Sequence, residues 1–277
     1  EQPSIPDTRH ATLSSLLAFF GSRPHTSPMR TLELVVARHH EDLNWLRRVP
    51  KRFRITVYDK GASPLSLPGH ALSGAATKRP CRRSNLEQIT LPNVGREAHT
   101  YLHHVIRRYD ELSDLTVFAQ GKPFDHVPDF HKILHRIAFN RIAIEDFLWL
   151  GFIIDRDDAD GTRLFQQWSR NPEGRPLPLR AFWKALWNEA APEEVIFYPS
   201  AHFALTADLA RRQPPEFYRK ALDIAEQLPD AAHCFERTWD RVFGVHGIPP
   251  EYRAGPFPIY LRAIQRLKRH LIFSIPQ

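Results

Sequence analysis

Between residues 98 and 112 the apolar side chains fall at Ala98, Leu102, Val105, Ile106, Tyr109 and Leu112. Spacings of three and four put them on one face of an amphipathic helix. The apolar run LTVFA at 115–119 follows almost at once and reads as a buried strand. A helix feeding so directly into a buried strand fits a βαβ-like unit, with strands parallel and the helix laid over the sheet.

Upstream, TLELVVA at 31–37 and RITVY at 54–58 read as further strands, the second halted by the turn Asp59-Lys60-Gly61. A short strand is expected at 89–91, ended by Pro92-Asn93, and another at 194–198, EVIFY. The Ser-, Pro-, Gly- and Ala-rich stretch 62–78 reads as a long loop, and DRDDADG at 155–161 as an acidic, solvated one. The middle, 127–195, is less regular. Helices are expected at 215–228, where Phe217, Ala221, Ile224 and Leu228 share a face, and at 231–243 around Phe235, Trp239 and Val242. With no internal repeat and no second boundary, the expectation is an N-terminal extension over 1–30 and one α/β domain over 31–277. Its sheet is mostly parallel and its C-terminal third helical.

With 42% hydrophobic residues in 277, the chain can bury a substantial core, which excludes disorder as a whole. No stretch reaches the roughly 18 apolar residues of a membrane span. Cys81 and Cys234 stand far apart with no CxxC pairing, which argues against a disulfide framework or a zinc site and makes the cytoplasm the expected compartment. The net charge of +7 favours an anionic partner. Its positive residues cluster: Arg47, Arg48, Lys51, Arg52 and Arg54; then Lys78, Arg79, Arg82 and Arg83; then Arg262, Arg266, Lys268 and Arg269. Such runs are either solvated surface or an RNA-binding face.

In open α/β sheets ligands bind beyond the carboxyl ends of strands, and that rule selects three segments. Glu41-Asp42 follows the first strand and could hold a substrate amine, or could be the acids of a helix start. Asn93, Gly95, Arg96 and Glu97 open the amphipathic helix, where free N–H groups and a guanidinium suit an anion, or simply cap a turn. Gln120 to His126, QGKPFDH, ends the strand 115–119 and offers Asp125 and His126 as an acid/base pair. Glu236, beside core aromatics, is either a buried catalytic carboxylate or an arginine's partner. His103 and His104 cannot both face the core, and Ser200 stands alone as a nucleophile. No metal-ligating motif is present, and no cofactor is expected.

The blocks VVARHHEDLNWL, ITVYDKG, LPNVGREAHTYLHHVIRRYDELSDLTVFAQGKPFDH, FYPSAHFALTADLARRQPPEFYRKAL and FERTWDRVFG, in order from about residue 33 to 244, resemble an uncharacterised-domain family numbered 3431. The opening strands and the N-x-G-R-[DE] helix are also similar to A-type glycosyltransferases, notably rhamnan-synthesis proteins. That resemblance implies a Rossmann-like architecture for nucleotide sugars. Such enzymes carry an Asp-x-Asp metal motif after a central strand, whereas this chain has Gln120-Gly121-Lys122 there. In overall character the chain is similar to fungal arginine-containing cyclodipeptide synthases. This second likeness implies a transferase whose partner is aminoacyl-tRNA, with Glu41, Asp42, Glu97, Asp125 and Glu236 dividing guanidinium binding and general base between them and His126 an alternative base. The other readings are a nucleotide-sugar glycosyltransferase and a non-catalytic RNA-binding protein.

Overall fold

The computed structural model describes residues 30–61, 84–168 and 170–261. The extension up to residue 29, the basic residues Lys78, Arg79, Arg82 and Arg83, Cys81 and the basic run from 262 onward lie outside the described residues.

In chain order the strands and helices are β1 (Leu32–Arg38), β2 (Phe53–Asp59), β3 (Leu86–Thr90), α1 (Arg96–Arg107), β4 (Leu115–Gln120), α2 (Phe130–Ala138), β5 (Phe147–Trp149) and β6 (Ile153–Asp158). They continue with α3 (Phe165–Trp168), α4 (Leu179–Trp187), β7 (Glu194–Phe197), β8 (Phe203–Thr206), α5 (Ala207–Ala210), α6 (Pro215–Gln227), α7 (Ala231–Glu236), α8 (Trp239–Val242) and β9 (Ile259–Tyr260).

Six strands form the main sheet in the order β3-β2-β1-β4-β8-β5. The first four run parallel, and only β8 is reversed, pairing antiparallel with β4 on one side and β5 on the other. A mostly parallel mixed α/β sheet is therefore what the chain builds. Each strand sends alternate side chains to opposite faces. From β1 and β4, Leu34, Val36, Val117 and Ala119 join the core beneath α2, with Phe130, Ile133 and Leu134. Val35 and Phe118 point the other way, into the larger core with Tyr101, Leu102, Phe203, Phe235 and Trp239. Both faces are covered, which is why β1 and β4 read as continuous apolar runs.

Several expectations need correction. DRDDADG is not a solvated loop: β6 runs through it, and Asp155 and Asp157 are buried within a second, antiparallel sheet of order β7-β6-β9. The expected helix 231–243 is two short ones, broken at Arg237-Thr238, where the Thr238 hydroxyl donates to the Cys234 carbonyl and competes with the helical ladder. The irregular middle holds α2, β5, β6 and α4, and the C-terminal third interleaves its helices with strands. His104 is fully buried while its neighbour His103 is half-exposed, as helical geometry demands.

Candidate functional site

The chain order of the strands reverses between β1 and β4, so their loops leave in opposite directions and open a crevice at their carboxyl ends. A cleft of about 640 Å³ lies there, lined by Glu41, Asn93, Arg96, Glu97, Gln120, Asp125 and His126 together with Arg38, His39, Lys60, Lys122 and Arg170. A second basin of about 460 Å³ shares Arg96, Glu97, Gln120, His126 and Arg170 with it and adds Phe197, His233, Glu236 and Arg237. Residues from sequence positions 38 to 237 thus converge on one place.

Asp42 and Gly95, both singled out by sequence, do not line it. Asp42 is exposed, and its carboxylate accepts from the Asn44 backbone N–H (2.8 Å) and amide (2.9 Å), which hold its pKa below the ordinary value. It stands one residue before Leu43, the N-cap of the 3-10 helix Asn44–Arg48, and through Asn44 it holds the entry to that helix. Gly95 is the N-cap of α1 at φ +58°, and a Cβ there would meet the Ala225 carbonyl oxygen at 2.6 Å. It sets how closely α1 packs on α6. Gly95→Ala is expected to cost about 2 kcal/mol or more, from left-handed strain plus the clash. Urea unfolding checks this, and a loss below about 0.5 kcal/mol would mean that the helices slide apart freely.

Glu41 reaches the cleft by folding back on its own loop. It accepts from the backbone N–H groups of His39 (2.7 Å) and His40 (3.1 Å). Gly121 makes room for it, since a Cβ there would stand 2.7 Å from the Glu41 carboxylate. At the end of β4, Asp125 is largely exposed and pairs with Lys122 at 3.0 Å, while His126 faces both basins. Both neighbours line the larger basin, and His126 also lines the smaller one, which puts it at the junction of the two.

The Asn93–Glu97 turn is held from below by Lys60, whose ammonium donates to the carbonyls of Val94 (2.6 Å) and Arg96 (2.5 Å). Arg96 has a left-handed backbone, φ +48°, uncommon for a non-glycine residue. Its guanidinium donates to His233 Nε2 at 3.0 Å. A guanidinium has no acceptor, so that nitrogen is unprotonated and the ring proton sits on Nδ1, 3.6 Å from Glu236. Burial pushes the Glu236 carboxyl up, but His233, Arg237 and His126 outweigh it and hold it below the ordinary value. Glu236 is thus an ionised carboxylate beside the Arg237 guanidinium, not an acid kept protonated. Arg237 is itself buried, paired with Asp157 at 2.6 Å and stacked 4.6 Å over Phe197.

Ser200 is buried, and its hydroxyl lies 2.8 Å from His202 Nδ1. His202 Nε2 accepts from the Gln120 backbone N–H, so Nδ1 carries the proton and donates to the serine. That tautomer cannot activate a nucleophile. The pair instead ties the entry of β8 to the end of β4. Among the basic positions, Arg47, Arg48 and Lys51 are exposed, whereas Arg52 donates to the Ala138 carbonyl and so caps the last turn of α2.

Sequence reasoning missed Arg38, Lys60, Arg170, His233 and Arg237. The strand-end rule could have found Arg38 and Lys60, which end or follow β1 and β2. The other three come from distant loops and helices and left no local signal. Among the described residues no group of three or more His, Cys, Asp or Glu is arranged to hold a metal ion, and no helix is long and apolar enough to cross a membrane.

The sequence profile of the family described as protein of unknown function (DUF3431) matches residues 34–252, which takes in every lining residue above. No curated protein matches the chain.

Proposed function

Since the chain belongs to the DUF3431 family, whose function is unknown, its activity has to be read from its own cleft, and we propose that it is an aminoacyl-tRNA-dependent cyclodipeptide synthase handling arginine. The observation that carries this reading is a strand-end cleft with carboxylates set among cations and Gln120-Gly121-Lys122 in place of Asp-x-Asp at the end of β4. The carboxylates of Glu97 and Glu236 suit a guanidinium, the cations suit the phosphates of the RNA, and His126 lies where both basins meet. In the reaction the α-amine of one aminoacyl group attacks the ester carbonyl of the other. An amide bond forms, the ester C–O bond breaks, and the proton from the amine passes through His126 to the departing ribose hydroxyl. A second attack of the same kind closes the ring.

Expression in a bacterial host should release a new arginine-containing cyclic dipeptide into the medium, and the purified protein should carry RNA, seen as a raised 260/280 absorbance ratio. His126→Ala should lower the yield by about 100-fold or more while the fold persists. RNA-free protein that makes no dipeptide from charged tRNA would reject the reading.

The second reading is a nucleotide-sugar glycosyltransferase. The order β3-β2-β1 is that of a mononucleotide-binding half, and the cleft lies at the reversal between β1 and β4, in keeping with an A-type glycosyltransferase-like, Rossmann-like architecture. It requires thermal stabilisation by a nucleoside diphosphate with manganese or magnesium, and no shift across a nucleotide panel would remove it.

A further inference from the structure

Lys60 is a buried cation with no counter-ion among the described residues. It is 8% exposed, yet it lines the larger basin, and its ammonium is held only by the two neutral carbonyls of the Asn93–Glu97 turn. An ammonium has three donors, and among the described residues no carboxylate lies within salt-bridge distance of this one. Glu97 and Glu226 act on it only from further away. Burial dominates and pulls its pKa down to about 8.

Other cations of the basin are compensated: Arg38 by Asp59 at 2.7 Å, and Lys122 by Asp125 at 3.0 Å. Arg170, exposed at the edge of both basins, has no ion pair among the described residues. Lys60 and Arg170, without an ion pair among the described residues, therefore face one cleft, beside the amino end of a twelve-residue helix. A buried charge is costly until an opposite charge reaches it, so the site is built to be completed by an anion. The space and the separate donors of Lys60, Arg96 and Arg170 suit an oxyanion with several acceptor oxygens.

We propose that Lys60 anchors a phosphate-binding subsite in this cleft, completed by Arg170 and Arg96, and that it receives a phosphate group of the nucleotide portion of the substrate. The inference shares the cleft with the proposed transferase, but it requires only that a phosphate bind there. The phosphate belongs either to a nucleoside diphosphate or to the end of an RNA strand.

Calorimetric titration of the full chain with inorganic pyrophosphate, uridine diphosphate and a short single-stranded RNA tests it. Wild-type protein should bind pyrophosphate. Tighter binding of the diphosphate assigns the subsite to a nucleotide, and tighter binding of the RNA assigns it to a strand end. Lys60→Met should weaken the preferred probe by about tenfold or more, and Arg170→Ala by about threefold or more. Because Lys60→Met also removes the clamp on the turn, a second measurement uses unaltered protein. Pyrophosphate should protect the Lys60 amine from acetylation, read by peptide mass spectrometry. Unchanged affinity in both variants, absence of binding by all three probes, or Lys60 acetylated equally with and without pyrophosphate would overturn the subsite. Protein that binds pyrophosphate through Lys60 but makes no dipeptide would reject the proposed activity and leave the subsite standing.

Discussion

Asp157→Ala is expected to remove about 3–5 kcal/mol of stability, a large part of what a domain of this size has. The Asp157 carboxylate is 1% exposed and carries two loads. It pairs with the buried Arg237 guanidinium at 2.6 Å. It also accepts from the backbone N–H groups of Asp158, Arg163, Leu164 and Phe165, which folds the chain back after β6. Truncation leaves a buried cation unpaired and those donors unsatisfied. Arg237 walls the smaller basin and donates to the His233 carbonyl, so the damage reaches the site as well. Urea unfolding followed by circular dichroism measures the loss. The double variant Asp157→Ala/Arg237→Met should recover part of it, because the stranded charge is gone. A single-variant loss under about 1 kcal/mol would show that water reaches Arg237.

The second large effect is acid sensitivity well above the carboxylate range. His99, His104 and His202 are each at most 2% exposed, and burial, first among the causes, lowers their pKa values from 6.5 to about 4, about 4 and about 3. In the unfolded chain they titrate near 6.5. Between that value and about 4 the unfolded state holds more protons than the folded one, so acid favours unfolding. The stability linked to these rings is whole above pH 6.5 and drains as pH falls through the window. With three protons in play the slope reaches about 4 kcal/mol per pH unit. Below it Glu33 adds to the loss. Burial raises its carboxyl, but His104, Arg54 and Thr56 together hold it below its ordinary value, so its contribution fades once it must be protonated. Urea midpoints near pH 7, 6 and 5 should fall steeply, and His202→Asn should remove about a third of the slope. A midpoint that stays flat down to about pH 5 would mean that the imidazoles are charged or solvated in the folded protein.

Part of the site was legible because strand ends are local features. The apolar runs of β1, β2 and β4 mark where each strand stops, and the residues just past the stop, Glu41, Gln120 and His126, do line the cleft. Asn93, Arg96 and Glu97 were found in the same way, from the helix that opens after β3. The roles of Glu41 and Asp42 stayed open because two adjacent acids look alike in sequence, while the fold leaves the first half-buried at the cleft and the second in solvent. DRDDADG was misread for a related reason. Its composition is that of a loop, and what buries Asp155 and Asp157 is compensation from Arg163 and from Arg237, the latter 80 residues downstream of Asp157. The six-stranded order was only half visible, since β8 and β5 are four and three residues long and owe their place to pairing.

The sequence by itself determined the strand-helix-strand core around α1 and β4, because hydrophobic periodicity and turn residues act over a few neighbours. The charge state of the site was decided only by the tertiary structure. Among the described residues Lys60 is left without a counter-ion, His233 is fixed in one tautomer by Arg96, and Glu236 stays ionised, because residues distant in the chain meet where water is scarce. Burial and partner together set a group's protonation, and neither exists until the chain has folded.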